Sequence, residues 1–511
     1  MTITTVKTVD KKGSKESGGP VAAVPSPGLR LLKRHELGQV FTPGPIADFM
    51  ASLFGDLPRE VDLLDAGAGH GALSEALVRR LCTGRRKPKR ISVTAYEVDG
   101  SAIGPLEETM SRCTRECEQA GIDFSANVLN EDFIAAAAPM ARGDLFSSQP
   151  LRFNAAIVNP PYRKIHSDSM TRQLLRSADI ETSNLYTGFV ALIVKLLVQG
   201  GELVAITPRS FCNGPYFKPF RSSFLDAVSL RRLHVFESRS AAFAGDEVLQ
   251  ENVIVHAVKG DPRPGRIIIS TSSGRPEDPV SEREVDYQEV VLHDDPEQFI
   301  HLLVDDGHAQ ARTVMDRLPA TLADLGLTVS TGRVVDYRAG SCLRQEPGHD
   351  TVPLIYPCHF NGGLVQWPKE NSRKPNAIVN DERTQDLLVP AGIYVLVKRF
   401  TSKEERRRVV ACIYNPDRIA SPLVGFENHL NYFHVQGHGM TTDLAKGLAA
   451  FLNSSVVDAY FRRFSGHTQV NATDLRSLRY PSRDALERIG HTLNVPEMSQ
   501  EALDNWVGRA L

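Results

Sequence analysis

Four consecutive residues in the first third of the chain combine groups that could act on a planar amino group. Asn159, Pro160, Pro161 and Tyr162 directly follow the apolar run 155–158. A side-chain amide oxygen and a backbone carbonyl can accept the two N–H bonds of an amino group, and a tyrosine ring can stack on its plane. Proline fixes φ at about −65° and has no N–H, so the segment must leave the sheet as a rigid turn. A plain Pro-Pro turn is the alternative, and the upstream sequence decides between them.

Upstream, a glycine-rich loop follows a short predicted strand. The apolar strand at 61–65 ends in Asp65, the loop contains Gly67 and Gly69, and a helical pattern begins at Ala72. Glycines adopt positive φ without strain and let a backbone approach a ligand closely. Such a crevice, at the carboxyl end of a sheet strand, is where open α/β folds bind nucleotides.

Further strand ends repeat this arrangement. Glu97 closes one predicted strand, Asp132 and Phe133 follow another, and Asn159 follows a third. Glu97 lies where a ribose-binding carboxylate is expected by analogy with dinucleotide folds. Each acid alone could be a solvated strand-end carboxylate, but four consecutive units of this kind favour one common site. The alternation of strands and helices predicts a doubly wound α/β sheet from residue 37 to about 260.

In this order, the motifs resemble those of the N6-adenine DNA methyltransferases of type II restriction–modification systems. The resemblance covers roughly residues 37–260 and includes the segment 38–43 before the glycine loop. It implies a Rossmann-like catalytic domain that uses S-adenosylmethionine and a C-terminal α+β target recognition domain. The residues that it assigns to cofactor binding are Phe41, Thr42, Pro43, Asp65, Gly67, Gly69, Glu97, Asp132, Phe133 and Asn159.

The resemblance also implies a role for each part of this set. Residues 41–43 would cover the methionine end of the cofactor, Glu97 would bind the ribose hydroxyls, and Asp132 with Phe133 would contact the cofactor adenine. His70 in the glycine loop departs from the family pattern. We expect it to be tolerated, because only backbone contacts are needed there.

The substrate would be an adenine flipped out of duplex DNA. Its amino nitrogen is a poor nucleophile, and two acceptors on Asn159 and Pro160 would localise its lone pair and stabilise the developing cation. Tyr162 would stack on the flipped base, with Pro161 beside it in the substrate site. Phe243 is the candidate for the second stacking wall, and a core aromatic is the alternative for that residue.

Beyond residue 311 the pattern changes to short strands broken by Gly, Pro and Asn. The chain has a net charge of −2, but residues 311–481 carry 21 basic against 16 acidic side chains, so phosphate contact should fall mainly there. Arg407 and Arg408 are the candidate phosphate contacts, although charge runs are usually solvated faces. Gln469 and Asn471 could read base edges.

A helix cap is the alternative for Asn471. Between the two regions, we expect a loop or hairpin at 260–279 and a helix at 296–318. The three predicted segments are a disordered tail (1–36), the methyltransferase domain (37–310), and the recognition domain with a C-terminal helical segment (311–511).

Three rival functions remain at this stage. The Asn-Pro-Pro-Tyr sequence also occurs in methyltransferases that act on a protein glutamine or on RNA, and a module could bind nucleic acid and cofactor without turnover. The large basic distal region favours duplex DNA, and the intact Asn159 loop disfavours the non-catalytic module. Pro357-Cys358 resembles a cytosine-C5 nucleophile pair but lies far from the cofactor loop, so we interpret Cys358 as a small buried hydrophobe.

Composition indicates a cytoplasmic enzyme. Hydrophobic residues make up 41% of the 511 residues, and the seven cysteines show no paired-ligand spacing, so we expect no metal site. The apolar stretch 186–198 is too short to span a bilayer, no signal peptide is visible, and we expect no membrane partner. The expected partners are double-stranded DNA and, where one exists, a separate cognate restriction endonuclease.

Overall fold

The computed structural model describes most of the chain. The described residues are 42–142, 152–236, 252–274, 279–293, 295–302, 311, 313–401, 405–464, 469–493 and 500–510. The tail that the sequence predicts to be disordered, 1–36, lies outside these ranges, so its disorder stays a prediction.

A nine-stranded sheet forms the first half of the described chain. Its strands are β1 (Glu60–Ala66), β2 (Arg90–Tyr96), β3 (Asp123–Leu129), β4 (Phe153–Val158), β5 (Leu197–Pro208), β6 (Val228–Phe236), β7 (Asn252–Lys259), β8 (Arg266–Ser272) and β9 (Ser281–Asp286). They lie in the order β3-β2-β1-β4-β5-β7-β6-β8-β9. β7 is antiparallel to β5 and β6, and β9 is antiparallel to β8, whereas the other neighbours are parallel.

Helices cover both faces of this sheet. They are α1 (Gly44–Ser52), α2 (Ala72–Thr83), α3 (Gly100–Ala120), α4 (Phe133–Arg142), α5 (Met170–Ser177), α6 (Leu185–Leu196), α7 (Lys218–Ala227) and the short α8 (Tyr287–Val290). One face packs on α1, α2 and α3 around Leu77 and Leu106, and the other on α4, α6 and α7 around Leu192 and Phe224. The predicted doubly wound, Rossmann-like fold is confirmed.

The central strand shows why the sequence folds this way. Leu63 and Leu64 of β1 belong to the cores on opposite faces, and both are fully buried. A parallel strand that is covered on both faces needs a continuous apolar run rather than an alternating pattern. The polar residues Asp65, Glu97 and Asn159 therefore come at strand ends, where the parallel strands β1, β2 and β4 open onto one edge of the sheet.

One local prediction agrees with the structure, and another is wrong in part. The segment 260–279 contains β8, which forms an antiparallel hairpin with β9, as one of the two alternatives requires, and also pairs with β6. The helix predicted at 296–318 is absent from 296–302. There the Asp295 carboxylate accepts the Phe299 N–H at 2.8 Å, and such side-chain-to-backbone bonds compete with helix formation.

Two small sheets organise the distal half. Their strands are β10 (Thr328–Thr331), β11 (Leu343–Arg344), β12 (Thr351–Ile355), β13 (Phe360–Asn361), β14 (Leu364–Val365), β15 (Ala377–Val379), β16 (Leu388–Pro390), β17 (Tyr394–Lys398), β18 (Ala411–Tyr414), β19 (Leu423–Phe426) and β20 (Leu430–His434). The first sheet has the order β10-β20-β17-β18-β14-β13, and the second has the order β11-β15-β12-β19-β16.

Helices complete this half, which has the α+β texture expected from the sequence. They are α9 (Asp336–Ala339), α10 (Thr442–Leu452), α11 (Ser455–Phe464), α12 (Ala472–Arg476), α13 (Arg483–Thr492) and α14 (Gln500–Ala510). Their largest core also contains Phe299, which comes from the segment just after β9. Within the ranges given above, no helix combines the length and apolar character needed to cross a bilayer.

Candidate active site

The loop after β1 has a backbone that only glycine adopts readily. Gly67, Gly69 and Gly71 have φ values of 79°, 57° and 83°. A Cβ at Gly71 would also lie 2.8 Å from Leu106 Cδ1. The N–H groups of Gly67 and the next residue both donate to the Tyr96 carbonyl at 2.9 Å, which holds the loop against β2.

Glu97, at the end of β2, is buried and fixes the same loop. Its Oε2 accepts the Gly69 N–H at 2.8 Å, and its Oε1 accepts the Asp99 N–H at 2.7 Å. The carboxylate therefore organises two neighbouring loops, and its role on the cofactor ribose stays a prediction.

Asp65 lies beneath the glycine loop and does not line the cavity described below. The Ser74 hydroxyl donates to its Oδ2 at 2.6 Å, whereas Oδ1 is buried without a hydrogen-bond partner in the described part of the chain. Burial raises the pKa of Asp65 to about 7, against the hydrogen bonds from Ser74, which lower it. The carboxyl therefore joins the end of β1 to the first turn of α2.

Asp132 and Phe133 begin α4 at the end of β3. The Asp132 Oδ1 accepts the Ile134 N–H at 2.8 Å, which caps the helix. The Phe133 ring lies 5.3 Å from the Tyr96 ring and 5.1 Å from the Phe189 ring. The pair therefore presents one carboxylate and one aromatic surface beside the glycine loop.

A cavity of about 320 Å³ lies above these strand ends. This volume is in the range of small-molecule sites. The predicted site residues that line it are Thr42, Gly67, Gly69, Glu97, Asp132, Phe133, Asn159 and Pro161. The glycines provide backbone, and Glu97 and Asp132 provide acceptors, so the lining fits a nucleoside cofactor that also carries an amino acid group.

Several further lining residues were missed by the sequence reasoning. They are Val98, Arg163, Thr171, Leu185 and Phe189, together with His70, which was noted only as a departure from the family pattern. Val98 and Arg163 are direct neighbours of predicted motifs and could have been found on that ground. Thr171, Leu185 and Phe189 belong to α5 and α6, and no local motif marks them. Pro43 is exposed at the start of α1 and is not part of this lining.

The loop of residues 159–162 after β4, which we name the catalytic loop after its predicted role, is held by side-chain hydrogen bonds. The buried Asn159 donates from Nδ2 to the Thr42 Oγ1 at 3.0 Å, and the Tyr162 hydroxyl donates to the Asn159 Oδ1 at 2.9 Å. Burial raises the pKa of Tyr162 above its ordinary range, so the hydroxyl stays protonated and can donate. Since Asn159 and Pro161 line the cavity, the loop places its carboxamide at the cavity edge.

Aromatic rings support this loop from behind. The Tyr162 ring meets the Tyr186 ring edge-on at 6.3 Å between centroids, and the Tyr186 ring lies 5.7 Å from that of Phe217. The Tyr186 hydroxyl is 3.0 Å from the Ser210 Oγ. The segment after β5 therefore packs beside the catalytic loop.

The predicted DNA-contact residues lie apart from the cavity, in the distal half. Arg408 is only 1% exposed, and its guanidinium donates to the Thr401 carbonyl. The expectation that it contacts phosphate is therefore wrong, because a phosphate cannot reach a buried side chain. Arg407 is half-buried and donates to the Gln500 side chain, and Arg406 is the exposed arginine of this run.

Asn471 and Gln469 have different environments. Asn471 forms a capping box with Asp474 at the start of α12, so the helix-cap interpretation describes its structure. The half-buried Gln469 pairs through its backbone with Phe400, which is 39% exposed and lies 4.7 Å from the His429 ring. Phe41 and Phe243 lie outside the described residues, so their predicted roles are not tested.

Comparison with known proteins identifies the class. Over 478 residues the chain is 42% identical to the type II methyltransferase M.PstI of Providencia stuartii, which covers 94% of this chain and 93% of that protein. The chain belongs to the type II methyltransferases. The type II methyltransferase M.BsuBI of Bacillus subtilis is 43% identical over 483 residues, with 93% of this chain and 94% of that protein covered.

A family model and a solved structure also match this methyltransferase. The family model described as Eco57I restriction-modification methylase matches residues 105–243. The solved structure of the type IIG restriction endonuclease BpuSI aligns with a TM-score of 0.45 at 12% identity, over 94% of this chain and 64% of that one. The cofactor of the methyltransferase is S-adenosylmethionine, as expected. The predicted class, a methyltransferase of restriction–modification systems, is confirmed.

Proposed function

We propose that this methyltransferase transfers a methyl group from S-adenosylmethionine to the exocyclic N6 of an adenine flipped out of duplex DNA. It would act at a specific site, as the modification part of a restriction–modification system. The observation that carries the proposal is the Asn159 carboxamide, which Thr42 and Tyr162 hold at the edge of the cofactor cavity.

The loop supplies the acceptors that an adenine amino group requires. The lone pair of that nitrogen is delocalised into the ring, so it attacks poorly. The Asn159 Oδ1 accepts a hydrogen bond from Tyr162, a carboxamide oxygen carries two lone pairs, and the Pro160 carbonyl is the next acceptor along the chain. Accepting both N–H bonds there would localise the lone pair and stabilise the cation that forms on transfer.

Cofactor and base would occupy adjoining sites. S-adenosylmethionine supplies an electrophilic methyl group, so the loop needs no covalent nucleophile. Glu97 and Asp132 line the cofactor cavity, and Asn159 and Pro161 line its edge toward the base. The Tyr162 ring, braced by Tyr186, would form one wall of the base site. Phe243 remains our candidate for the opposite wall.

The distal half would recognise the DNA site. The exposed Phe400 ring lies 4.7 Å from His429, and the Arg399 guanidinium lies 5.7 Å from the centre of the same ring. This aromatic and basic group stands beside Gln469, which can bond base edges. Arg406 replaces Arg408 as our candidate phosphate contact.

The test is to identify the methylated product. Purified protein is incubated with methyl-labelled S-adenosylmethionine and duplex DNA, and the DNA is then digested to nucleosides and separated. We expect the label in N6-methyl-2′-deoxyadenosine. Label in a cytosine would overturn the adenine assignment.

Parallel incubations address the rival functions. RNA and a glutamine-bearing protein substrate replace the DNA in two further reactions, and Asn159→Ala protein is the blank. Label in either of these substrates, with none in DNA, would favour the corresponding rival. Cofactor binding without label in any substrate would favour the non-catalytic module.

A further inference from the structure

The segment between β5 and α7 carries an exposed aromatic side chain next to several buried residues. It consists of two short 3-10 turns, Arg209–Cys212 and Pro215–Phe217. Phe211, Cys212, Asn213 and Phe217 are buried, whereas Tyr216 is 77% exposed. Single exposed apolar residues are common on protein surfaces, so the exposure alone carries no function.

The backbone that presents Tyr216 is held by a buried cation. The Arg221 side chain is fully buried, and its Nη1 donates to the Phe211 carbonyl at 3.0 Å and to the Gly214 carbonyl at 2.7 Å. A Cβ at Gly214 would lie 2.7 Å from the Ser210 carbonyl oxygen, so the turn accepts only glycine without displacement. The tyrosine is therefore displayed from a fixed position, which lowers the conformational entropy that it would lose on stacking.

The position of this segment relates it to the catalytic loop. Phe217, next to Tyr216, contacts the Tyr186 ring, which in turn contacts the ring of Tyr162. On its other side the segment meets the distal core through Arg221, because the guanidinium of that residue lies 5.1 Å from the centre of the Phe299 ring, which belongs to that core. The segment that carries the exposed Tyr216 therefore lies between the catalytic loop and the core of the half that we assign to DNA recognition.

We propose that Tyr216 enters the duplex beside the target pair and stacks on the bases left behind when the adenine moves to the catalytic loop. This inference rests on the proposed function. Flipping a base breaks its stacking and pairing, and an aromatic ring in the gap recovers part of that loss. A tyrosine suits this position, because its ring stacks on any base while its hydroxyl remains in water.

The test compares Tyr216→Ala with wild type on two duplexes in single-turnover methylation. One duplex has the target adenine paired with thymine, and the other has it opposite an abasic position, where leaving the helix costs less. We expect Tyr216→Ala to be about ten- to a hundredfold slower on the paired duplex. On the abasic duplex we expect its rate to be within about threefold of the wild-type rate.

Tyr337→Ala is the matched control, since Tyr337 is an equally accessible tyrosine (80% exposed) in the distal half. Any decrease in the methylation rate of Tyr337→Ala should be the same on both duplexes. S-adenosylmethionine affinity, measured by calorimetry, should be unchanged in Tyr216→Ala, which confirms that the cofactor site is folded.

The outcomes separate this inference from the function on which it rests. Equal rates for Tyr216→Ala and wild type, or an equal loss on both duplexes, would overturn the role of Tyr216 while adenine methylation by wild type stands. Failure of wild type to methylate adenine in either duplex would overturn the proposed function and the inference together.

Discussion

The Tyr162 hydroxyl donates a hydrogen bond to the Asn159 Oδ1 at 2.9 Å, so the ring and the carboxamide of the catalytic loop are tied to each other. The same carboxamide donates from Nδ2 to Thr42 at 3.0 Å. The two contacts hold the carboxamide between Thr42 and Tyr162 and so fix the plane of the amide. Substitutions can separate the contributions of ring, hydroxyl and amide.

Asn159→Ala should abolish methylation and leave cofactor affinity nearly intact. The carboxamide would bond the substrate amino group, and removing one such preorganised group costs about 3 kcal/mol, or roughly a hundredfold in rate. Single-turnover methylation and calorimetry measure the two effects. Asn154→Ala, at the opposite end of β4, is the control and should retain the rate. A mutant rate above about a hundredth of wild type would contradict the role of Asn159.

Tyr162→Phe should keep most of the DNA affinity and lose about fivefold in rate, because the ring remains and a hydrogen bond worth about 1 kcal/mol is removed. Tyr162→Ala should lose considerably more, since the stacking surface is removed as well. DNA binding and single-turnover rates would be measured for both variants. If the two behave alike, the ring contributes nothing and only the hydroxyl matters.

Glu97→Ala should weaken S-adenosylmethionine binding about tenfold or more, because the glycine loop loses its charged anchor at Gly69. DNA affinity should change little. Glu60→Ala, an exposed glutamate at the far end of β1, is the control. Calorimetry with wild type and both variants checks this, and unchanged affinity in Glu97→Ala would place the cofactor elsewhere.

Gln469 and Asn471 should respond differently to substitution by alanine. Asn471→Ala should lower the free energy of unfolding by about 1 kcal/mol, because it removes the α12 cap, and should leave site preference unchanged. Gln469→Ala should relax the preference at one base pair, worth about 1 to 3 kcal/mol. Urea unfolding and methylation of single-base variants of the site provide the two readouts. A changed preference in Asn471→Ala alone would reverse these assignments.

Asp474 should make stability depend on pH. Burial raises its pKa from 3.8 to about 7, so the folded protein holds this proton where the unfolded chain releases it. The stabilisation from this raised pKa is therefore fully present below about pH 4. It is lost from the free energy of unfolding as the pH rises toward 7. Relative to Asp474→Asn, wild type should lose stability on the order of 1 kcal/mol per pH unit in that window. A constant difference between them would contradict this.

Much of the lining of this cavity could be predicted because the residues lie at strand ends. Glu97 and Asn159 each follow a buried strand, Asp132 follows the edge strand β3, and the parallel order of these strands brings the three residues to one cavity. Leu185 and Phe189 complete the wall from α6, but their sequence pattern shows only that they belong to an apolar helix. Contacts that depend on how a helix packs cannot be predicted from the spacing of residues within that helix.

The run of arginines at 406–408 shows what the sequence alone could not predict. Arg407 and Arg408 were predicted to be exposed because adjacent arginines usually are, but Arg408 is held inside the distal fold by Thr401 and by Asp458, which accepts its N–H at 2.6 Å. The sequence indicates how much charge a segment carries. It does not indicate which of three neighbouring side chains turns inward, because partners far along the chain decide that.

Phe299 limits where recognition halves can be exchanged between related methyltransferases to change the DNA site. It follows α8 in the chain, yet its ring belongs to the distal core, and the Arg221 guanidinium lies 5.1 Å from its centre. The same arginine donates to the Glu297 carbonyl and supports the turn that carries Tyr216. A recombination junction at residue 311 would separate the Phe299 ring from the distal core in which it packs. Chimaeras that retain activity should therefore have their crossover before residue 295, so that this segment is inherited with the recognition half.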